Sequence, residues 1–141
     1  MRLQAAALAV LIAGPVLAAA WAAGPARAED PIGAEAFESY TTGKTLIYGN
    51  AGGPYGIEEY LPGRQVRWSF LDGDCVEGSW FPEGDAICFR YDAYDRTQCW
   101  HFYQSESGLS AQPVEEPDGS ALYEVSQSKG PMVCQGPEVG V

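Results

Sequence analysis

The stretch that decides the fold class is QVRWSF, residues 65–70. Its apolar side chains, Val66, Trp68 and Phe70, alternate with polar ones, which is the pattern of a strand with one buried face. Turn-forming residues separate this run from similar short runs at residues 44–48, 57–61, 75–81, 86–91, 98–103 and 121–126. Before them, residues 34–41 have the spacing of a short helix. The sequence therefore predicts an all-β domain with one short N-terminal helix.

Counting through the predicted turns gives a strand register. A three-residue loop at 72–74 makes these pairs face each other: Phe70 and Val76, Trp68 and Gly78, Val66 and Trp80. A four-residue turn at 82–85 places Trp80 opposite Ile87, and Gly78 leaves room for the Trp68 indole. The result is one apolar row across four strands, formed by Val66, Trp80, Ile87 and Trp100. Such rows fix the register of a sheet.

The short connections predict an antiparallel meander. A meander of six or seven short strands must protect its two edges from pairing with other chains. Closure removes the edges, so we expect a small lipocalin-like barrel. A two-sheet sandwich is the alternative architecture.

All four cysteines follow residue 28, and their even number predicts two disulfides. The strand register places Cys88 opposite Cys99, which leaves Cys75 to pair with Cys134. Zinc sites use closely spaced cysteine pairs, and the gaps of 13, 11 and 35 residues here do not provide them. The sequence predicts no metal and no cofactor.

Residues 1–28 have the layout of a secretory signal peptide. Arg2 precedes an almost uncharged run rich in Ala, Leu and Val, and Ala26 and Ala28 form an A-x-A cleavage motif. A membrane anchor is the alternative, but it needs about 20 strongly apolar residues, and a Gly-Pro pair interrupts this run. We therefore expect cleavage after residue 28, a single domain at residues 29–141, a periplasmic or secreted location, and no membrane association after cleavage.

The net charge limits the partners. The chain has a formal charge of −11, and residues 1–28 hold two arginines and no acid. The remaining chain has six basic residues against 19 acids, a charge of −13. This charge repels nucleic acid, and it favours a basic protein as the partner.

Several short motifs resemble a family of small exported bacterial proteins of unknown function. The resemblance spans residues 37–141, and it is carried by Leu61-Pro62-Gly63-Arg64, Trp68-Ser69-Phe70, Gly78-Ser79-Trp80, Ile87-Cys88-Phe89, Cys99-Trp100, Leu122-Tyr123-Glu124-Val125 and residues 136–141. It implies export and one intact domain, and it assigns no catalytic residue. A more distant architectural likeness to periplasmic barrels that inhibit lysozymes or proteases concerns the fold alone.

The sequence offers no catalytic arrangement. His101 is the single histidine, and no Ser motif of the G-x-S-x-G type accompanies it. Carboxylate pairs hydrolyse sugars in many enzymes, and the candidates here are Glu58, Glu59, Asp72, Asp74, Glu77, Asp92 and Asp95. Acids near hairpin turns are usually turn formers, so we expect a protein that is not an enzyme.

A binding surface is predicted at the loop 49–56, which we expect to be a flexible loop at the mouth of the barrel. Loops on rigid scaffolds carry binding, and tyrosine is enriched at interfaces. The candidate binding residues are Tyr48, Gly52, Gly53, Tyr55 and Tyr60. We expect a binding protein, in the first place an acidic inhibitor or binder of a basic protein. The alternatives are a carrier of a small apolar ligand and a hydrolase that uses surface carboxylates.

Overall fold

The computed structural model describes residues 29–134, which form one α-helix, a short 3-10 helix at Pro62–Arg64 and a closed barrel of eight antiparallel strands. The helix α1 spans Ala34–Thr41, and the strands are β1 Thr45–Asn50, β2 Gly53–Leu61, β3 Gln65–Ser69, β4 Val76–Glu83, β5 Ala86–Tyr91, β6 Gln98–Ser105, β7 Gly108–Pro113 and β8 Leu122–Ser128. The predicted all-β barrel with one short helix is confirmed, and the sandwich alternative is wrong. The predicted signal peptide lies outside the described residues.

Each strand pairs with its neighbour in the chain, and β8 closes the barrel by pairing with β1. Ile87 faces Trp100 and Cys88 faces Cys99, as predicted. The predicted register of the two preceding hairpins is wrong by two residues, because Trp68 faces Val76 and Trp80 faces Phe89. The connection between β3 and β4 is longer than predicted, and the turn between β4 and β5 is shorter.

Strand β7 was not among the predicted strands. It lies within the polar segment 105–120 and contributes only two buried apolar side chains, Leu109 and Ala111. It pairs along its whole length with β6 and through two residue pairs with β8. β7 therefore joins β6 to β8 and brings the number of strands in the closed barrel to eight.

Helix α1 closes one end of the barrel. The Phe37 side chain is 0% exposed and contacts four aromatic rings from four different strands. These rings belong to Tyr60, Trp80, Phe89 and Phe102, with centroid distances of 5.6, 5.0, 6.3 and 4.5 Å. An ion pair of 3.1 Å between Arg64 and Glu38 joins the helix to the connection between β2 and β3. Phe37 therefore acts as the apolar plug of this end.

Both predicted disulfides, Cys75–Cys134 and Cys88–Cys99, are present. The first fixes the C-terminal segment against the outer face of the barrel, where the Met132 amide donates to Glu59 at 3.2 Å. Among the described residues, no helix is long and apolar enough to cross a membrane.

Candidate binding site at the open end of the barrel

The end of the barrel opposite α1 is open. Four connections surround it, at residues 51–52, 70–75, 92–97 and 114–121. A cavity of about 50 Å³ lies inside this end. It is lined by Tyr48, Tyr55, Glu58, Tyr60, Trp68, Phe70, Phe89, Tyr91, Tyr94, Gln98, Trp100, Phe102, Ala111 and Leu122.

Aromatic rings surround the entrance of this cavity. We call Tyr55, Trp68, Phe70 and Tyr94 the mouth aromatics. The first three form a cluster with centroid distances between 5.3 and 6.0 Å. The exposed fractions of Tyr55, Phe70 and Tyr94 are 39%, 46% and 38%. Large aromatic side chains that remain this exposed give the mouth an apolar contact surface.

The position of Trp68 depends on a glycine in the neighbouring strand. The Trp68 indole lies directly over Gly56, where any Cβ atom would collide with its six-membered ring. Only glycine lets the indole approach the backbone this closely. The sequence prediction assigned this space to Gly78, whose missing side chain instead makes room for Tyr91 and the backbone of β5.

A carboxyl group lies inside the cavity, below the mouth aromatics. Glu58 is on β2, its residue is 1% exposed, and it is the single acid in the cavity lining. The Tyr91 hydroxyl donates to both of its oxygens, at 3.0 Å to Oε1 and 3.2 Å to Oε2. A second polar contact joins the hydroxyls of Tyr48 and Tyr60 at 2.8 Å.

Burial controls the ionisation of these groups. It raises the pKa of the Glu58 carboxyl well above its usual range, because desolvation penalises the charged form more than the Tyr91 hydrogen bond favours it. Burial also raises the pKa of the Tyr48, Tyr60 and Tyr91 hydroxyls. The tyrosines are therefore neutral donors and acceptors at physiological pH.

The connections around the mouth are strongly acidic. We call 70–75, 92–97 and 114–121 the acidic loops. Their exposed acids are Asp72, Asp74, Asp92, Asp95, Glu115, Glu116 and Asp118. Arg96 is the single basic residue in these loops. Within residues 29–134, none of the seven acids takes part in a salt bridge, so their charges add to a negative field at the mouth.

The structure separates the predicted binding residues into two groups. Tyr48 and Tyr60 are buried inside the barrel, and Tyr55 lies at the mouth. The prediction of a flexible loop at 49–56 is wrong, because β1 and β2 extend into this segment and leave a turn of two residues, 51–52. Gly52 donates its amide to the Asn50 side chain at 2.8 Å, and Gly53 adopts a φ of +114° that favours glycine. These two glycines shape the hairpin.

The candidate carboxylates do not form a catalytic pair on β2. Glu58 points into the barrel, whereas Glu59 points outward and lies 3.4 Å from the Arg67 guanidinium. Glu77 contacts the same guanidinium at 3.2 Å. Asp72 accepts the Asp74 amide at 3.1 Å, which is a turn-forming contact. Asp92 and Asp95 are exposed in one of the acidic loops.

Two further candidate features lie on the outer face. His101 Nε2 is 3.0 Å from an Asp85 oxygen, at a solvent-exposed position. Among the described residues, Glu83 with Cys88 and Cys99 is the one group with metal-ligand atoms close together. Both cysteines are joined in a disulfide, so this group offers no thiolate to a metal.

Sequence reasoning missed Glu58 as an interior residue and Trp68, Phe70 and Tyr94 as parts of the mouth. The signal for Glu58 is its spacing: it lies two residues before Tyr60, on the same face of the strand. The mouth residues cannot be predicted without the barrel topology, because β3 and the connection between β5 and β6 are far apart in the chain.

Comparison of the chain with protein-family models, with curated proteins and with solved structures gives no match. A disulfide-containing β domain is what the structure itself establishes.

Proposed function

We propose that this chain is an exported, non-enzymatic binding protein that captures a basic protein at the open end of its barrel. The observation that carries the proposal is the combination of seven exposed carboxylates and one arginine in the acidic loops with exposed aromatic rings at their centre. An inhibitor of a basic enzyme, such as a lysozyme, is one form of this function.

The two components of the site have different roles. Clustered charges of one sign steer an oppositely charged partner and make association depend on ionic strength. Aromatic side chains near the centre of an interface supply most of the binding energy. The buried Trp68 packs between Gly56 and the exposed rings of Tyr55 and Phe70; this support reduces the conformational entropy that these two rings would lose on binding.

The dimensions of the cavity argue against a carrier that holds a small apolar ligand inside the barrel. Pockets for such ligands usually have volumes of about 300–1,000 Å³, and the cavity here is about 50 Å³. The opposite directions of Glu58 and Glu59 argue in the same way against a hydrolase that uses this pair.

Export is supported by the two disulfides, which are stable in oxidising compartments. Removal of residues 1–28 is part of this proposal, as is membership of the small exported family suggested by the sequence motifs. The mass of the protein recovered from cells that express the full chain tests the cleavage, because the mature N-terminus would be Glu29.

The test compares variants with equal charge changes at different ends of the barrel. The mouth variant carries Asp92→Asn and Asp95→Asn, and the control carries Glu35→Gln and Glu106→Gln; all four acids are exposed. Wild-type protein, with its disulfides intact, is used to capture partners from periplasmic and extracellular extract. The affinity of the captured protein is then measured for each variant, at low and high salt.

We expect the partner to be basic, to bind the control variant like the wild type, and to bind the mouth variant more weakly. At about 1 M salt the Debye length falls to about 3 Å, so the difference between the variants should largely disappear. Equal binding to both variants, or the absence of any captured protein, would contradict the proposal.

A further inference from the structure

The cavity behind the mouth aromatics combines an aromatic wall with one buried carboxyl group. We infer that it takes a single cationic group of the bound partner, a guanidinium or an ammonium, with Glu58 as the counter-charge. This inference rests on the proposed function, since it names the group that enters the barrel when a basic protein docks at the open end.

The composition of the lining favours a cation. Aromatic faces attract ammonium and guanidinium groups through their quadrupoles, and the lining includes Tyr55, Trp68, Phe70 and Trp100. Glu58 supplies the single acidic side chain of the lining, and no Lys, Arg or His lines the cavity. A cation that enters the cavity therefore meets aromatic rings and a carboxyl group, with no competing positive charge among the lining residues.

The hydrogen bonding of Glu58 leaves capacity for a ligand. The contacts of the carboxyl group come from one Tyr91 hydroxyl, which has a single proton to donate. A carboxylate accepts at about four lone-pair positions. Within residues 29–134, no basic side chain forms a salt bridge with Glu58. A guanidinium, with five N–H donors, provides what this group lacks.

The size of the cavity agrees with one cationic head group. Its volume of about 50 Å³ is on the order of four water-sized spheres, since one such sphere occupies about 10–15 Å³. A guanidinium has four heavy atoms. The end of an Arg or Lys side chain therefore matches the volume of the cavity.

The ionisation of Glu58 couples binding to pH. Burial raises the pKa of its carboxyl in the absence of a ligand, so an arriving cation must displace the proton at low pH. The other titratable groups of the lining are the tyrosines Tyr48, Tyr55, Tyr60, Tyr91 and Tyr94. Affinity for a cation is therefore expected to rise with pH above the ordinary carboxyl range near 4.5 and to level off once Glu58 is ionised.

The test uses a small cation and its uncharged isostere. The probes are N-acetyl-arginine methylamide and N-acetyl-citrulline methylamide, which differ in the charged guanidinium. Binding is followed by NMR through the indole N–H signals of Trp68 and Trp100, which line the cavity. Trp80 packs against Phe37 at the closed end and is the internal control. The probes are titrated into wild type, Glu58→Gln and the exposed control Glu106→Gln.

We expect the arginine probe to shift the signals of Trp68 and Trp100 and to leave Trp80 unchanged, in wild type and in Glu106→Gln. Glu58→Gln keeps the shape of the side chain and removes its charge, so its affinity should fall by at least about tenfold. The affinity of the wild type for the citrulline probe should be lower than its affinity for the arginine probe by a similar factor. A second measurement needs no variant: the wild-type affinity for the arginine probe should rise between pH 4 and pH 8.

Three outcomes would overturn the inference. They are equal affinity for the two probes, a flat pH profile in the wild type, and no shift of Trp68 or Trp100 with the arginine probe. None of these outcomes decides the proposed function, because capture of a basic protein by the acidic loops is measured separately with the mouth variant. Conversely, probe binding without a captured protein would leave a cation pocket and remove the proposed partner.

Discussion

Replacing Glu58 by glutamine tests whether the barrel contains a carboxyl group whose ionisation opposes folding. The Glu58 residue is 1% exposed, and burial raises its pKa in the folded protein above the unfolded value near 4.5. Between these two pKa values the folded state binds more protons than the unfolded state. Stability therefore falls as pH rises through this window, and it is retained below the unfolded pKa.

The magnitude follows from proton linkage for one group. Each unit of pH inside the window changes the free energy of unfolding by up to about 1.4 kcal/mol. Glutamine has nearly the same shape and no proton to lose. The free energy of unfolding of Glu58→Gln, minus that of the wild type, should therefore be nearly constant below pH 4.5 and should increase above it, by up to about 1.4 kcal/mol per pH unit.

The assay is equilibrium urea unfolding at half-unit steps from pH 4 to pH 8, followed by tryptophan fluorescence. Urea is preferred to guanidinium chloride because guanidinium is the type of cation that we expect the cavity to bind. Glu106→Gln, an exposed acid in the turn between β6 and β7, is the matched control and should follow the wild type. A difference between Glu58→Gln and wild type that does not change with pH would refute the reasoning.

Three structural predictions concern the parts that hold the site. Phe37→Ala removes the plug of the closed end and should lower the free energy of unfolding by about 3–5 kcal/mol in urea titrations; a loss below 1 kcal/mol would contradict the role given to this ring. Gly56→Ala places a methyl group against the Trp68 indole and should cost about 1–3 kcal/mol, with a changed Trp68 indole NMR signal; an unchanged signal would contradict this contact. Replacement of Cys75 and Cys134 by alanine opens a loop with a sequence separation of 59 residues and should lower the free energy of unfolding by about 4 kcal/mol in the chain-entropy model. Thermal unfolding at the wild-type temperature would contradict this prediction.

The alternation of apolar residues predicts the faces of the strands better than their partners. Trp68 faces Val76 instead of Gly78, and Trp80 faces Phe89 instead of Ile87. Both errors are shifts of two residues, which preserve the face that each side chain occupies. Trp68 and Trp80 are therefore buried as predicted, although the lengths of the connections could not be read from the turn residues.

Pro82 explains one of these errors. A Pro-Glu-Gly-Asp sequence indicates a four-residue turn, since proline and glycine both favour turns. In the structure Pro82 stays in β4 opposite Ile87, and the turn is reduced to residues 84–85. Proline is compatible with a strand position where its missing N–H is not needed for pairing. Sequence alone does not reveal which positions those are.

The interior position of Glu58 is the part of the site that composition conceals. Acidic residues are rarely buried without a partner, so a sequence with 19 acids suggests a solvated surface for all of them. The alternation of side chains along β2 places Glu58 on the same inner face as Tyr60. The hydrogen-bond partner that stabilises the buried acid is Tyr91, which lies 33 residues away in the chain. The contact between Glu58 on β2 and Tyr91 on β5 crosses the interior of the barrel, so it is a property of the closed fold.

Two unfavourable charge arrangements lie at the open end of the barrel. The exposed acids of the acidic loops repel one another, and desolvation opposes ionisation of Glu58 inside the barrel. The positive charge that we propose to enter from the open end would relieve both, because it would neutralise the loops from outside and the buried carboxyl from inside. At the closed end, by contrast, Glu38 has its own internal partner in Arg64. The proposed basic partner would therefore gain its binding free energy where the barrel is open and where its aromatic rings are exposed.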